Sequence, residues 1–301
     1  MSQLNPSPSP FEARTDARRV GTEVRHLAMD TLWVTLGIDR RTGLQNFTPA
    51  LVDELQSLVN ALRTEGNVLS ASGDRSPLPY TVIQSRHPEY FSMGGDLRFF
   101  RQCIQRADAS RLHDYSMRCL TLLFSWAAQI KDRTTSIALV QGRALGGGFE
   151  LALSTDHLVA EEQSTFGFPE IMFGLFPCTG AMGLLANVVG ARQAERMMTN
   201  KKIYTARELF DMGLIDELCP QGQGELAVER YIRQHASRLK ARMKVQQSRY
   251  RQAPLNHEHG VQIVDDWVET AMRLSDDELR TLDMLVMLQQ REASDRRVLA
   301  A

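Results

Sequence analysis

Apolar positions recur along this chain with two periods, and the places where one gives way to the other mark its elements. From His26 to Ile38 the pattern is strand-like, with Trp33, Val34 and Leu36 inside it. After Thr48 the spacing lengthens. Leu51, Leu55, Leu58, Val59 and Leu62 fall on one stripe, Thr48 stands at the cap position and Pro49 in the first turn, which predicts an amphipathic helix. Tyr80–Ile83 reads as a buried strand, and the Gly94-Gly95 turn opens a helix near Asp96. A long helix is predicted from Ala109 to Lys131, with Leu112, Tyr115, Met117, Leu120, Leu123 and Trp126 among its apolar positions. Thr135–Val140 is a short apolar strand. A glycine-rich turn follows, then a short helix from Gly147 to about Ser154 and a strand at His157–Ala160. Strand, turn and helix alternate, which argues for an α/β fold.

The ends differ from this body. Residues 1–25 are polar and begin with a Pro/Ser-rich run, so a loosely held arm is expected. Beyond about Gly222 only helical periods remain. Three parts are therefore expected: an arm over 1–25, a core over 26–222 and a helical region over 223–301. Within the helical region charge reverses: residues 225–252 hold eight Lys/Arg and two Asp/Glu, whereas 258–283 hold eight Asp/Glu and two Lys/Arg. Two solvated helix faces that partly pair with each other account for this; a dock for an acidic carrier protein or a phosphate-bearing cofactor is the sharper alternative.

Composition narrows the functional classes. The net charge of −1 gives no basic field for nucleic acid. No apolar run is long enough to span a bilayer, and no basic-then-apolar leader opens the chain, so a cytoplasmic protein is expected. Cys103, Cys119, Cys178 and Cys219 are far apart and read as reduced thiols. His257 and His259 form the only close histidine pair, without partners for a metal. Neither a G-x-G-x-x-G nor a P-loop occurs. No cofactor or metal is expected.

Candidate chemistry concentrates in three segments: FSMGGDL (Phe91–Leu97), ALGGGFELAL (Ala144–Leu153) and FGFPEIMFGLFP (Phe166–Pro177). Each glycine turn lies between a strand-like and a helix-like run. Helix N-termini carry unpaired N–H groups, and two of them brought together can stabilise one developing oxyanion. Glu150 lies just inside the helix after the second glycine turn, and Glu170, after Pro169, is expected to start another short apolar helix. Both are carboxylates among apolar neighbours, where burial raises a pKa and suits general acid–base work. Each element alone also has a plain reading, as a helix cap or a first-turn acid.

In this order and spacing the three segments resemble the crotonase (enoyl-CoA hydratase/isomerase) superfamily, with Glu150 and Glu170 twenty residues apart. IYTARELFDMGLIDELCP (Ile203–Pro220) extends the likeness, which covers roughly residues 26–290. It implies an α/β crotonase-like spiral of ββα units with a C-terminal helical trimerisation region, and a homotrimer or hexamer. It implies that the N–H groups of Gly95 and Gly147 form an oxyanion hole for a thioester carbonyl and that Glu150 and Glu170 fill the two acid/base positions. SIALVQGRALGGGFELAL, PEIMFGLFPCTGAMG and the tail DDWVETAMRLSDDELRTLDMLVMLQQR are most similar to the diffusible-signal-factor synthases. That likeness implies dehydration of a 3-hydroxyacyl thioester, on acyl carrier protein or CoA, to the cis-2-enoyl thioester, then hydrolysis to a cis-2-unsaturated fatty acid signal. It also implies a sensor-kinase receiver domain as partner, and acyl-binding roles for Trp267, Met272 and Leu285; plain helix packing is the alternative for these three. Phe176-Pro177-Cys178-Thr179-Gly180 departs from ordinary hydratases, which carry a glycine-rich run after the proline. The alternatives are an enoyl-CoA hydratase/isomerase of fatty-acid metabolism and a catalytically idle binding protein on the same fold.

Overall fold

The computed structural model describes residues 19–65, 67–69, 75–130 and 133–299. In chain order the elements begin with β1 (Val20–His26), β2 (Asp30–Leu36) and α1 (Pro49–Glu65), then a small hairpin of β3 (Asn67–Leu69) and β4 (Arg75–Pro77). Next come β5 (Tyr80–Ser85), β6 (Tyr90–Ser92), α2 (Leu97–Gln105), α3 (Ala109–Phe124), β7 (Thr135–Val140), β8 (Arg143–Leu145) and α4 (Gly147–Leu153). β9 (His157–Glu161), β10 (Thr165–Gly167), α5 (Ala181–Val189), α6 (Ala191–Thr199), β11 (Ile203–Thr205), α7 (Ala206–Asp211) and β12 (Glu217–Cys219) complete the body. The helices α8 (Gly224–His235), α9 (Leu239–Gln252), α10 (His257–Ala271) and α11 (Asp276–Leu299) follow it.

One sheet has the order β1-β2-β5-β7-β9-β12 and a second the order β11-β10-β8-β6. Strands β2 to β12 of the large sheet run parallel, with β1 antiparallel on its edge. Three times the chain passes from a long strand of the first sheet to a short strand of the second and then into helix: β5-β6-α2, β7-β8-α4 and β9-β10-α5. This is the ββα spiral expected from the resemblance, with its helical C-terminal region. The repeat sets the function of the fold, because every turn from short strand to helix lands at the same end of the second sheet.

The large sheet is covered on both faces, which explains its near-continuous apolar strands. Along β7, Ala138 and Val140 face the main core, while Ile137 and Leu139 face a second cluster with Trp33, Tyr80, Val82 and the α8 residues Ala227, Val228 and Ile232. The cap predicted for α1 is made: Thr48 Oγ1 accepts the Leu51 N–H at 3.2 Å. Asp96 caps α2, accepting the Phe99 N–H at 3.2 Å. The long third helix widens into a π-turn over Ser125–Gln129 after α3.

Three expectations need correction. The polar arm over 1–25 does not extend to residue 25: residues 1–18 lie outside the described residues, but Val20–His26 is β1, paired in full register with β2. An edge strand needs only one apolar face, so Val20 and Val24 suffice and its composition looks like that of an arm. Second, Glu170–Phe173 is a single 3₁₀ turn rather than a helix, ended by Gly174 at φ 78°. Third, among the described residues no ion pair joins the basic stretch 225–252 to the acidic stretch 258–283. Arg230 pairs with Glu217 and Arg249 with Asp156, while Asp265 pairs with His113 and Asp283 with Arg101. Helix α9 has no buried residue and is pinned from its flank: Asp156, itself hydrogen-bonded to the Ser136 N–H and hydroxyl at 2.8 Å each, accepts from Tyr250.

Candidate active site

The two glycine turns meet. A Cβ on Gly94 would lie 2.7 Å from the Leu145 carbonyl oxygen and 3.2 Å from the Gly147 nitrogen, so the turn after β6 abuts the turn after β8 with no space for a side chain between them. Parallel pairing of β6 with β8 brings them there. Gly95 and Gly147 line one cavity of about 70 Å³ together with Glu150, Glu170, Thr179 and Trp267.

Carbonyl partners decide where the two amides point. In a trans peptide the C=O of one residue and the N–H of the next face opposite ways. The Gly94 carbonyl accepts the Phe47 N–H at 2.8 Å, so the Gly95 N–H of the same peptide is turned from Phe47. The Gly146 carbonyl accepts the Phe149 and Glu150 amides at 2.9 and 3.0 Å in the first turn of α4, which turns the Gly147 N–H away from that helix. Among the described residues neither N–H has a protein acceptor. The arrangement supplies two preorganised donors to one cavity.

Glu150 is 2% exposed and fully engaged. Its Oε1 accepts the Thr179 N–H and the Ala181 N–H, both at 2.9 Å, and its Oε2 accepts the Thr179 hydroxyl at 2.6 Å. The carboxylate thus caps the N-terminus of α5, where unpaired amides and the helix dipole favour negative charge. Burial pushes its pKa above the ordinary 4.5, and these donors oppose the rise. Glu170 has no such supply from other residues, only its own backbone N–H. Its Oε2 is buried with no hydrogen-bond partner, and burial, with the nearby charge of Glu150, raises its pKa to about 8. Gly146, at φ 51°, makes room for it: a Cβ there would lie 2.1 Å from Glu170 Oε1. The unequal supply of donors favours charge on Glu150 and the proton on Glu170.

The cavity wall is otherwise apolar, with Phe47, Phe100, Leu122, Leu151 and Phe176, and it includes the thiols Cys119 and Cys178. Burial pushes both thiols up, Cys119 to about 12 and Cys178 well above its ordinary 9.0, so they are inert side chains here. Of the three residues expected to bind an acyl chain, Trp267 lines the cavity, 2% exposed, with its ring edge-on to Phe100 at 5.2 Å. Met272 and Leu285 do not line it; both are half-buried against the main core. Sequence reasoning missed Tyr115 and Thr179 as site residues. Tyr115 registered only as an apolar position of α3, and Thr179 only as part of an unusual segment. It also missed a polar cavity of about 210 Å³ on the Asp96 side of the turn, lined by Arg41, Arg98, Asp39 and Asn46. Among the described residues no cluster of His, Cys, Asp or Glu could hold a metal ion, and no helix is long and apolar enough to cross a membrane.

The profile of the family described as Enoyl-CoA hydratase/isomerase matches residues 34–265, which contain both glycine turns and both glutamates. The chain belongs to the enoyl-CoA hydratase/isomerase family. Among curated relatives, it is 33% identical over 132 residues to the peroxisomal fatty acid beta-oxidation multifunctional protein AIM1 of Arabidopsis thaliana, covering 44% of this chain and 18% of that protein. It is 37% identical over 99 residues to the mevalonyl-coenzyme A hydratase SIDH of Beauveria bassiana, covering 33% of this chain and 35% of that one. The matched segments thus span about a third or less of these relatives' length. Among solved structures, an enoyl-CoA hydratase from Bacillus halodurans superposes with a TM-score of 0.71 at 23% identity, covering 88% of this chain and 98% of that one. One from Mycobacterium avium subsp. paratuberculosis K-10 gives 0.70 at 20% identity, covering 92% and 97%. At these identities the superpositions speak for the enoyl-CoA hydratase/isomerase fold.

Proposed function

We propose that this family member adds water to, or removes it from, the Cα–Cβ bond of an acyl thioester. One observation carries the reading: two free amides and two carboxylates, one held by three donors and one with a buried, unpartnered oxygen, line the same small cavity. The thioester carbonyl oxygen lies between the Gly95 and Gly147 N–H groups, where two donors in an apolar site lower the cost of the enolate; one such donor contributes about 10²–10³ in rate. For hydration, Glu150, ionised, takes a proton from water as the hydroxyl bonds to Cβ. The electron pair of the alkene moves to the carbonyl oxygen as an enolate. Glu170, protonated, then delivers its proton to Cα as the enolate collapses. Dehydration is the reverse: Glu170 removes the α-proton, and Glu150 protonates the departing hydroxyl. The proton distribution in the free protein matches the start of hydration. Arg41 and Arg98, beside the turn that carries Gly95, offer positive charge for the phosphate of a CoA or phosphopantetheine arm.

A finer reading is favoured by one feature. Cys178 and Thr179, the residues at which the chain departs from ordinary hydratases, both line the cavity, and Thr179 holds Glu150. In this reading the substrate is a 3-hydroxyacyl thioester, probed first on acyl carrier protein. It is dehydrated to the cis-2-enoyl thioester, and a glutamate-activated water then attacks the thioester carbon, with the tetrahedral oxyanion held by the same two amides. The products are a free cis-2-unsaturated acid and the carrier thiol. Incubation with an enoyl-CoA, followed by its conjugated-thioester absorbance, tests the general reading, and addition of water is the expected result. Incubation with a 3-hydroxyacyl carrier protein, followed by mass spectrometry, tests the finer one. A free unsaturated acid supports it; enoyl thioester that accumulates without hydrolysis ends it. If neither substrate changes mass, the general reading fails.

A further inference from the structure

We infer that Tyr115 is a positioning residue for the Gly95 amide, its hydroxyl tying the Phe47 segment to the turn that carries that amide. The inference rests on Gly95 acting as an oxyanion donor. Tyr115 is 2% exposed, and its hydroxyl donates to the Phe47 carbonyl at 2.5 Å. Phe47 in turn donates its N–H to the Gly94 carbonyl at 2.8 Å and pairs with Gly95 as an isolated parallel bridge. The peptide that carries the Gly95 N–H is thus held through Phe47, and Phe47 by Tyr115.

The ring of Tyr115 has little freedom. It lies 5.0 Å from Phe99 and 5.6 Å from Phe100, centroid to centroid. Phe100 supports the turn from its other side: a Cβ on Gly95 would come 2.4 Å from its Cζ. Phe47 lies in the irregular segment between β2 and α1 and has no sheet ladder to hold its peptide. Removing the hydroxyl leaves the buried Phe47 carbonyl without this donor and lets the segment, and with it the Gly94 carbonyl, reorient. A donor aimed at an oxyanion loses most of its value when it is misdirected, whereas ground-state contacts with the acyl chain are unaffected.

The test compares wild type, Tyr115→Phe and a variant with 3-fluorotyrosine at position 115, each checked by thermal melting. Steady-state hydration of an enoyl-CoA gives kcat and KM. Binding of cinnamoyl-CoA reports the polarisation of the thioester carbonyl through the red shift of its absorbance. Tyr115→Phe is expected to lower kcat by about tenfold or more with KM within about threefold, and to lose about half or more of the red shift. The fluorotyrosine variant, which keeps the hydroxyl, is expected to retain both. A folded Tyr115→Phe protein with wild-type kcat and red shift overturns the inference, as does a fluorotyrosine variant as impaired as Tyr115→Phe. Absence of any red shift in wild type is a different result: it removes the oxyanion hole itself and with it the proposed function.

Discussion

Glu150 and Glu170 are the same side chain in the same cavity, yet only Glu150 is closed in by donors from other residues. Two amides and a hydroxyl close on Glu150 at the head of α5, while Oε2 of Glu170 has no partner. Glu150 is buried and Glu170 half-buried with its Oε2 enclosed, so desolvation alone would push both upward. The donors limit the rise at Glu150, and its retained charge adds to the rise at Glu170. The comparison teaches that the proton in such a pair is placed by the supply of donors more than by depth. The two carboxylates titrate as a pair, and their difference in environment gives each a distinct starting state.

The sharpest way to break this comparison is to neutralise each member. Glu150→Gln and Glu170→Gln are each expected to lower kcat for hydration by about 10²–10⁴, the range of a positioned acid or base. If the assignment holds, the decline of kcat/KM as pH rises through about 8 should disappear in Glu170→Gln and move to lower pH in the residual activity of Glu150→Gln, where the charge that helps raise Glu170 is gone. A decline that survives in Glu170→Gln would transfer the proton elsewhere.

A smaller effect is expected from taking away one donor. Thr179→Val removes the 2.6 Å bond to Glu150 Oε2 but leaves the amides in place. A hydrogen bond to a charged group is worth about 1.5–3 kcal/mol, so the pKa of Glu150 should rise further and activity at neutral pH should fall by about tenfold or more. Thr179→Ser, which keeps the hydroxyl, should restore most of it. Equal losses in Val and Ser variants would show that Thr179 acts by shape alone.

The smallest effect is on stability. Glu170 loses its proton at about 8 in the native state and near its ordinary 4.5 when unfolded. Between these values the native state binds more protons than the unfolded one, so ionising the native carboxyl costs stability, and unfolding free energy falls as pH rises. The slope from this group is at most about 1.4 kcal/mol per pH unit. Urea unfolding across this window should show a decline that Glu170→Gln flattens. An unchanged slope in the variant would mean that Glu170 is ordinary in the native protein.

Much of this was legible before folding. The stripe of α1, the apolar run of β7 and the cap at Thr48 are local patterns, and local chemistry dictates them. The glycine turns and both glutamates could be picked out because close approach and buried charge restrict residue choice at single positions. β1 was hidden because an edge strand asks little of its sequence. The charge reversal in the C-terminal helices was visible, but its partners were not: Arg230 and Arg249 pair back onto the body of the fold, at Glu217 and Asp156, rather than onto the acidic helix.

The sequence by itself determined which residues could carry chemistry here: two glycine turns before helices and two acids among apolar neighbours, in a spacing shared with a family. Only the tertiary structure decided their relations. It chose which carboxylate receives the amides of α5, which cavity wall includes Trp267 and excludes Met272 and Leu285, and which hydroxyl holds the Phe47 peptide. The physical reason is distance along the chain. Identity and periodicity are local properties, whereas the pKa of Glu170 and the direction of the Gly95 amide depend on groups from remote segments, brought together by packing.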